Sequence, residues 1–191
     1  GCRVVFPDGT LGILSNSHVI ARESIITAIV DNPVAGVIGE DIVQPGCLDG
    51  GSIVVGSVDT IAHLHDFQTF STAGINTIDA AIARITFPND GMVLACTPGD
   101  GYGFPSRTPR QAMLGMEVKK YGRTTTYREG KVKGINSNFL VAYQRGDFFF
   151  TGQITIIGDH NNFGQPGDSG SLIVTKHGNH PVALLFAGAG V

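Results

Sequence analysis

Residues 164–174 have the sequence Gly-Gln-Pro-Gly-Asp-Ser-Gly-Ser-Leu-Ile-Val, and this stretch says more about the fold than any other. A polar turn flanked by glycines runs straight into an apolar strand, with the hydroxyl of Ser169 at the junction. Glycines beside a serine let backbone N–H groups point at one spot, which is what a developing oxyanion requires in acyl transfer. The stretch predicts a strand-rich protein with a rigidly held serine. Taken alone, it also fits a plain surface loop.

The composition also favours strands. The chain has 191 residues, of which 42% are hydrophobic, 15% are charged and 27 are glycine. Average domains have about 25% charged residues and about 7% glycine, so short strands joined by tight turns are favoured over a helical bundle. No apolar run reaches the ~18 residues of a membrane span, and a net charge of −3 gives no general attraction to nucleic acid. We expect an all-β protein that binds neither nucleic acid nor membrane.

Strand patterns divide the chain into two halves. Pro7-Asp8-Gly9 predicts the tight turn of an opening hairpin, and residues 88–111 are rich in turn formers. We predict an N-terminal antiparallel β-barrel at 1–87, an interdomain connector at 88–111 and a C-terminal antiparallel β-barrel at 112–191. The two barrels are expected to pack together and to be of the six-stranded type. The predicted strands are 2–6, 10–15, 24–30, 34–38, 52–58, 59–64 and 80–86 in the first half, then 118–121, 130–135, 139–144, 148–157, 171–176 and 181–188.

A histidine and an aspartate complete a candidate catalytic set. A serine hydroxyl is a poor nucleophile without a base, and His18 follows an apolar strand where a short helical turn can begin. Asp79 stands at the head of another apolar strand, where an acid can fix the tautomer of a histidine. Each residue alone has an ordinary structural explanation. His18 can be a structural histidine, and Asp79 can be a turn or cap residue. In the order His18, Asp79, Ser169 they point to a site in a cleft between the two barrels.

Three motifs carry a resemblance to a known family. The sequences Ser17-His18-Val19, Asp79-Ala80-Ala81-Ile82 and Gly167-Asp168-Ser169-Gly170 resemble, in this order over about 150 residues, the motifs of trypsin/chymotrypsin-like serine proteases. More narrowly, the chain resembles the bacterial and plant trypsin-like peptidases that include the rice narrow-leaf type. That narrower likeness rests on Gly1-Cys2-Arg3-Val4, Gln44-Pro45-Gly46, Asp49-Gly50-Gly51, Gly122-Arg123-Thr124-Thr125 and Leu185-Phe186-Ala187-Gly188.

The resemblance implies a role for each residue of the set. Ser169 would attack the scissile carbonyl of a protein or peptide substrate, His18 would act as general base and then acid, and Asp79 would orient His18. The backbone N–H groups of Gly167 and Ser169 would form the oxyanion hole. The resemblance implies an acyl-enzyme mechanism with no metal and no organic cofactor.

Positions relative to Ser169 also imply a substrate pocket. Phe163 and Gly164 are expected at its base, and Phe186, Ala187 and Gly188 are expected to form one wall and the edge that binds extended peptide. Because no Asp stands at the pocket base, we expect a neutral or apolar residue before the cleaved bond.

The chain departs from the family in several places. Ser171-Leu172 stands where the family commonly has Gly-Pro, and paired cysteines are missing around His18 and Ser169. Asp168 need not pair with a freed N-terminal amine. The sequence stops at Val191, about where the family adds a strand and a C-terminal helix, so the second barrel is expected to be open, completed by a separate segment, or cut by processing. The alternatives are therefore a silent binding module on a protease fold, or a latent protease activated by cleavage or a partner.

Three further patterns have functional and structural interpretations. His63-Leu64-His65 has strand spacing that can chelate zinc, but surface or partly buried histidines are the more ordinary explanation. Six basic residues lie between Lys119 and Lys133, and they form either a solvated hairpin face or a site for an acidic protein partner. They are Lys119, Lys120, Arg123, Arg128, Lys131 and Lys133. The odd number of cysteines, Cys2, Cys47 and Cys96, favours free thiols and a cytoplasmic location, with a processed or secreted form left open.

Overall fold

The computed structural model describes residues 1–22, 25–26, 36–52, 54, 57–85, 93–159 and 162–188, with residues 25, 26 and 48 described by backbone alone. The described elements are nearly all strands, which confirms the all-β prediction. In chain order they are β1 (Cys2–Val5), β2 (Leu11–Ser15), α1 (Ser17–Ile20), β3 (Ile25–Ile26), β4 (Asp41–Val43), a 3-10 turn (Cys47–Asp49), β5 (Thr60–Phe67), β6 (Phe70–Ser71), β7 (Ala81–Ile85), β8 (Glu117–Gly122), β9 (Thr126–Tyr143), β10 (Gly146–Gly158), β11 (Leu172–Thr175) and β12 (Pro181–Leu184).

The opening hairpin forms as predicted. Strands β1 and β2 pair antiparallel, with Cys2 opposite Leu14 and Val5 opposite Leu11. Gly9 takes the positive φ of 84° that the turn requires, and the Asp8 carboxylate accepts a hydrogen bond from the Thr10 backbone N–H at 2.9 Å. The turn is thus held by a bond within the hairpin itself, and Arg84 adds a distant contact to Asp8 at 2.8 Å.

The described strands form two five-stranded antiparallel sheets and one two-stranded sheet. The first large sheet has the order β1-β2-β7-β5-β4, the second has the order β10-β9-β8-β11-β12, and β3 pairs with β6. Each large sheet covers its own apolar cluster. In the first sheet the cluster is Ile13, Ile61, Ala62 and Ala83, and in the second it is Val118, Val132, Phe163 and Ile173.

Several strand predictions differ from the structure. The two strands predicted at 130–135 and 139–144 are one continuous strand, β9, which pairs with β10 through several register shifts. The described residues of 52–58 and 36–38 are not strand, so those two predictions are wrong there. Most of the predicted strand 24–30 lies outside the described residues. Glycine, serine and aspartate are frequent around these segments, and such residues favour turns over pairing.

The chain divides into two compact units. One consists of residues 2–70 and 79–94, and the other of residue 1, residues 71–78 and residues 95–191. Residues 71–78 join the second of these because the Asn76 backbone N–H and carbonyl bond Phe149 and Thr151 of β10, each at 2.9 Å. Residues 95–111, predicted as part of a connector, belong to the same unit. There the backbone N–H of Arg110 donates to the carbonyl of Pro181 at 2.8 Å.

Candidate active site

His18 lies on the short helix α1, directly after strand β2. Asn16 precedes the helix with extended backbone, φ −77° and ψ 150°, which is typical of a residue that caps a helix N-terminus. Its amide does not cap the helix. Instead Asn16 Nδ2 donates to the carbonyl oxygen of Asp79 at 2.8 Å, and Asn16 is fully buried. The side chain that would usually start the helix therefore joins it to the chain segment that carries Asp79.

The structure brings the imidazole of His18 directly against the carboxylate of Asp79. His18 Nδ1 bonds Asp79 Oδ2, and the His18 backbone N–H donates to Asp79 Oδ1 at 3.3 Å. The Asp79 side chain is completely buried, while the His18 side chain is 16% exposed. With Nδ1 bonded to the acid, Nε2 is the ring nitrogen that can act as a base.

Ser17 and Gln68 support this arrangement from a third segment. Ser17 Oγ donates to the carbonyl of Gln68 at 2.8 Å, and the Gln68 backbone N–H donates to the carbonyl of Ala80 at 2.9 Å. The residue before His18 and the residue after Asp79 are thereby both bonded to Gln68. Our sequence reasoning missed Asn16, Ser17 and Gln68. The polar pair Asn16-Ser17 between two apolar segments was the one available signal.

Ser169 lies in the other unit, on the turn before β11, and is partly buried. Gly167 has a φ of 96° and Gly170 a φ of 81°. The Asp168 N–H donates to the Gln165 carbonyl at 2.9 Å, the Gly170 N–H to the Leu185 carbonyl at 2.8 Å, and the Ser171 N–H to the Asp168 carbonyl at 3.0 Å. Within the described part of this unit, the N–H groups of Gly167 and Ser169 have no acceptor.

Asp168, next to the serine, is the most heavily bonded acid of the unit. Its carboxylate is fully buried and takes five donors. They are the N–H groups of Thr124 (2.8 Å), Thr125 (3.1 Å) and Gln165 (3.0 Å), the hydroxyl of Thr125 (2.6 Å) and the ammonium of Lys120 (3.0 Å). These bonds fix the residue between the two N–H groups that the turn leaves without an acceptor.

Burial and hydrogen bonding act in opposite directions on the Asp168 carboxyl. Burial alone raises its pKa, but the bonds from Thr125, Gln165 and Lys120 outweigh burial and lower the pKa to about 2. For Lys120, burial lowers the pKa of the ammonium, and the Asp168 carboxylate opposes that change. Lys120 Nζ and the Asp168 carboxylate are in direct contact, 3.0 Å apart.

Lys120 is buried, contrary to the prediction from the sequence. We placed it in an exposed basic patch, but its side chain is completely buried. Strand β8 alternates, so Val118, Lys120 and Gly122 all face inward. A side chain at Gly122 would overlap the Asp168 carboxylate, so glycine at that position makes room for the acid. The patch that remains includes Lys131, whose ammonium lies 3.6 Å from Glu117, and the exposed Lys133.

The five predicted substrate-binding residues all lie in the unit of Ser169. Phe163 is buried in the core cluster of the second sheet, and Gly164 lies against Leu185 so closely that a Cβ there would be 2.5 Å from Leu185 Cδ2. The Phe186 ring packs against the Phe150 ring at a tilt of 43°, with ring centroids 5.0 Å apart. Ala187 and Gly188 are exposed. What this segment offers a ligand is apolar surface and backbone.

The two histidines of the possible zinc pair have other partners. His63 Nδ1 lies 2.9 Å from Asp41 Oδ1, and the His65 ring meets the Phe6 ring edge-on at 5.0 Å. No group of three potential ligands that could hold a metal occurs among the residues that the structure describes. Among all the residues that the structure describes, no helix has the length and apolar character needed to cross a membrane.

Comparison with solved structures identifies the fold. The chain is similar to the Nocardiopsis protease, with a TM-score of 0.61, 19% identity, and coverage of 100% of this chain and 77% of that one. It is similar to Thermobifida fusca protease A, with a TM-score of 0.60 and 20% identity. The match covers 100% of this chain and 76% of that one. A glutamic acid specific serine protease matches with a TM-score of 0.59 and 18% identity. The match covers 98% of this chain and 78% of that one.

The predicted fold is confirmed by these neighbours. The chain has the all-β fold of the trypsin/chymotrypsin-like serine proteases. No protein-family model and no curated protein matches the sequence. The narrower likeness to the rice narrow-leaf type stays a prediction. Of the three predicted catalytic residues, the structure pairs His18 with Asp79 in one unit and carries Ser169 in the other.

Proposed function

We propose that the chain is a serine endopeptidase in which Ser169, His18 and Asp79 cleave peptide bonds of protein substrates. The observation that carries the proposal is the bond between His18 Nδ1 and the buried Asp79 carboxylate. A histidine fixed in this tautomer presents Nε2 as a base, and a buried acid stabilises the imidazolium that forms when the base takes a proton.

In the proposed reaction, His18 Nε2 takes the proton of the Ser169 hydroxyl as Oγ bonds the scissile carbonyl carbon. The carbonyl oxygen becomes an oxyanion, and the N–H groups of Gly167 and Ser169 stabilise it. His18 then gives its proton to the leaving amine, which leaves an acyl group on Ser169. Water, deprotonated by His18, releases the acid product and restores the serine. Support for the oxyanion role comes from the two N–H groups, which alone between Gly167 and Ser171 lack an acceptor in the described part of their unit.

Digestion of denatured casein by the full chain tests this function. Wild type should release peptides, whereas Ser169→Ala should release none above background. Ser171→Ala serves as a matched control, because this neighbouring serine donates its hydroxyl to the Asp168 carbonyl at 2.5 Å and has no part in the proposed reaction. Cleavage by Ser169→Ala would contradict the proposal. Cleavage that appears only after a proteolytic cut or a partner is added would establish the latent form.

The proposed preference is for a neutral or apolar residue before the cleaved bond. It rests on the apolar surroundings of Phe163, Gly164 and Leu185 and on the lack of an Asp at the expected pocket base. A peptide library varied at that position tests it. The library includes acidic residues, because one structural neighbour is a glutamic acid specific serine protease. Cleavage after Arg and Lys alone, or after Glu alone, would overturn this preference.

An acidic protein partner remains our proposal for the basic residues around β8 and β9, now without Lys120. Arg123 and Lys133 are exposed there, and Lys131 is only loosely paired with Glu117. Binding to such a partner should weaken as salt rises, since interactions between exposed charges are screened.

A further inference from the structure

A polar cavity lies beside the Asp168 cluster, in the unit that carries Ser169. It has a volume of about 270 Å³ and is lined by Thr125, Arg128, Asn162 and Gln165. Pockets for drug-sized ligands are larger, roughly 300–1,000 Å³ and mostly apolar. The size and the lining of this cavity therefore fit a small polar ligand.

The charge of the cavity comes from Arg128. Its Nη1 donates to the Tyr127 carbonyl at 2.7 Å, and it forms no ion pair with any residue in the described ranges. Glu129, its neighbour on β9, points to the opposite face of the strand. There Glu129 accepts the Tyr127 hydroxyl at 2.5 Å and the Lys176 ammonium at 2.8 Å. The positive charge of Arg128 is thus not balanced by an adjacent acid.

The remaining lining groups add donors without adding negative charge. Among the described residues, the side-chain amides of Asn162 and Gln165 make no hydrogen bond, so their NH₂ groups remain for a ligand. The nearby Asp168 carboxylate is in contact with the Lys120 ammonium and has five donors of its own. It is neutralised and does not repel an anion in the cavity.

We propose that this cavity binds a small carboxylate anion, with the Arg128 guanidinium as its main contact and the amides of Asn162 and Gln165 as further donors. A guanidinium presents two parallel N–H groups that match the two oxygens of a carboxylate. A ligand held in this way bridges the start of β9 to the loop before Ser169.

The site is placed to regulate the serine, a role that rests on the proposed function. Thr125 and Gln165 line the cavity, and both also donate to the Asp168 carboxylate. The same loop is tied to the hairpin by the Thr124 hydroxyl, which donates to the Pro166 carbonyl at 2.8 Å. An anion that joins Arg128 to Gln165 restrains the loop in the conformation in which the Gly167 N–H has no acceptor among the described residues, and so raises the reactivity of Ser169.

Calorimetric titration with sodium acetate tests binding in the full-length Ser169→Ala chain, where catalysis plays no part. Saturable binding is expected, weakened at least tenfold by Arg128→Gln and unchanged by Arg145→Gln, the same substitution at an exposed arginine. Sodium chloride at equal ionic strength serves as the comparison. No saturable binding, an equal response to chloride, or binding that survives Arg128→Gln would each overturn the site.

The regulatory role has its own readout. The rate of Ser169 labelling by a fluorophosphonate should rise with acetate in the wild type and not in Arg128→Gln. An unchanged rate in acetate-saturated wild type would overturn the regulation. Acetate binding in Ser169→Ala together with no labelling of wild type under any condition would contradict the proposed protease and the regulation while supporting the anion site.

Discussion

The ammonium of Lys120 lies 3.0 Å from the carboxylate of Asp168, and neither side chain is exposed to solvent. The hydroxyl of Thr125 completes the cluster, since it accepts from Lys120 and donates to Asp168. Because Asp168 is bonded on one side to Ser169 and on the other to Gly167, this buried pair sets the backbone of the proposed oxyanion hole. Lys120 is a positioning residue, which acts through Asp168 and touches no substrate.

Replacing Lys120 with methionine should leave the Asp168 carboxylate buried without its cation. Removing one partner of a buried pair typically costs about 3–5 kcal/mol, so Lys120→Met should lower the free energy of unfolding in urea by that amount. Lys133→Met, at an exposed position of β9, should change it by less than about 0.5 kcal/mol.

The double variant Lys120→Met/Asp168→Asn separates the pair from simple packing. Once the negative charge is also removed, the double variant should be more stable than Lys120→Met alone. Its fluorophosphonate labelling should still be slower than that of wild type, because the Asn amide cannot accept all five bonds. Two additive losses of stability would contradict the coupling of these residues.

Acid should unfold the protein partly through Asp168. Its folded-state pKa is about 2, below the ordinary value of 3.8, so its stabilisation is complete above about pH 4 and is lost as pH falls toward 2. The difference between the two values corresponds to about 2 kcal/mol. Urea unfolding at pH 5, 4, 3 and 2 should therefore show a steeper loss for wild type than for Asp168→Asn. Equal pH dependence in the two proteins would show that Asp168 is not responsible.

Asp79→Asn should preserve the fold and nearly abolish peptide cleavage. An amide in place of the carboxylate can offer an N–H to His18 Nδ1, which holds the imidazole in the wrong tautomer, and this change costs about 10⁴ in kcat in a well-studied serine protease. Turnover of a peptide from the library measures the effect, with Asp66→Asn at an exposed position of β5 as control. If Asp79→Asn cleaves within tenfold of wild type, Asp79 does not orient the base.

Gly167→Ala should reduce Ser169 labelling more than its effect on stability explains. At a φ of 96°, an alanine costs about 1–2 kcal/mol of backbone strain. Its Cβ would also overlap Thr124 Oγ1 and lie 2.9 Å from Arg123 Nη1, so the loop must move. Gly115→Ala has a similar φ of 79° with nothing within 4 Å, so it carries the strain alone. Equal labelling by the two variants would rule out a special role for the Gly167 backbone.

The sequence was sufficient where local chemistry decides structure. Pro7-Asp8-Gly9 fixed the first hairpin, and the motifs around His18 and Asp79 led to two side chains that the structure brings together. The sequence was misleading where a distant partner decides. Lys120 stands in a run of charged residues that is typical of a solvated hairpin, and its burial depends on an acid in a far segment of the chain. Inward alternation along β8 was the signal that went unused.

Peptide mass spectrometry of the full-length protein, after reaction with a fluorophosphonate probe, shows directly whether Ser169 is the nucleophile. If our proposal is right, one adduct forms on Ser169, which is absent in Ser169→Ala and forms at least a hundredfold more slowly in His18→Ala, while Ser171→Ala is labelled like wild type. An adduct that forms equally fast without His18, or no adduct on Ser169 before or after proteolytic cutting, would contradict it.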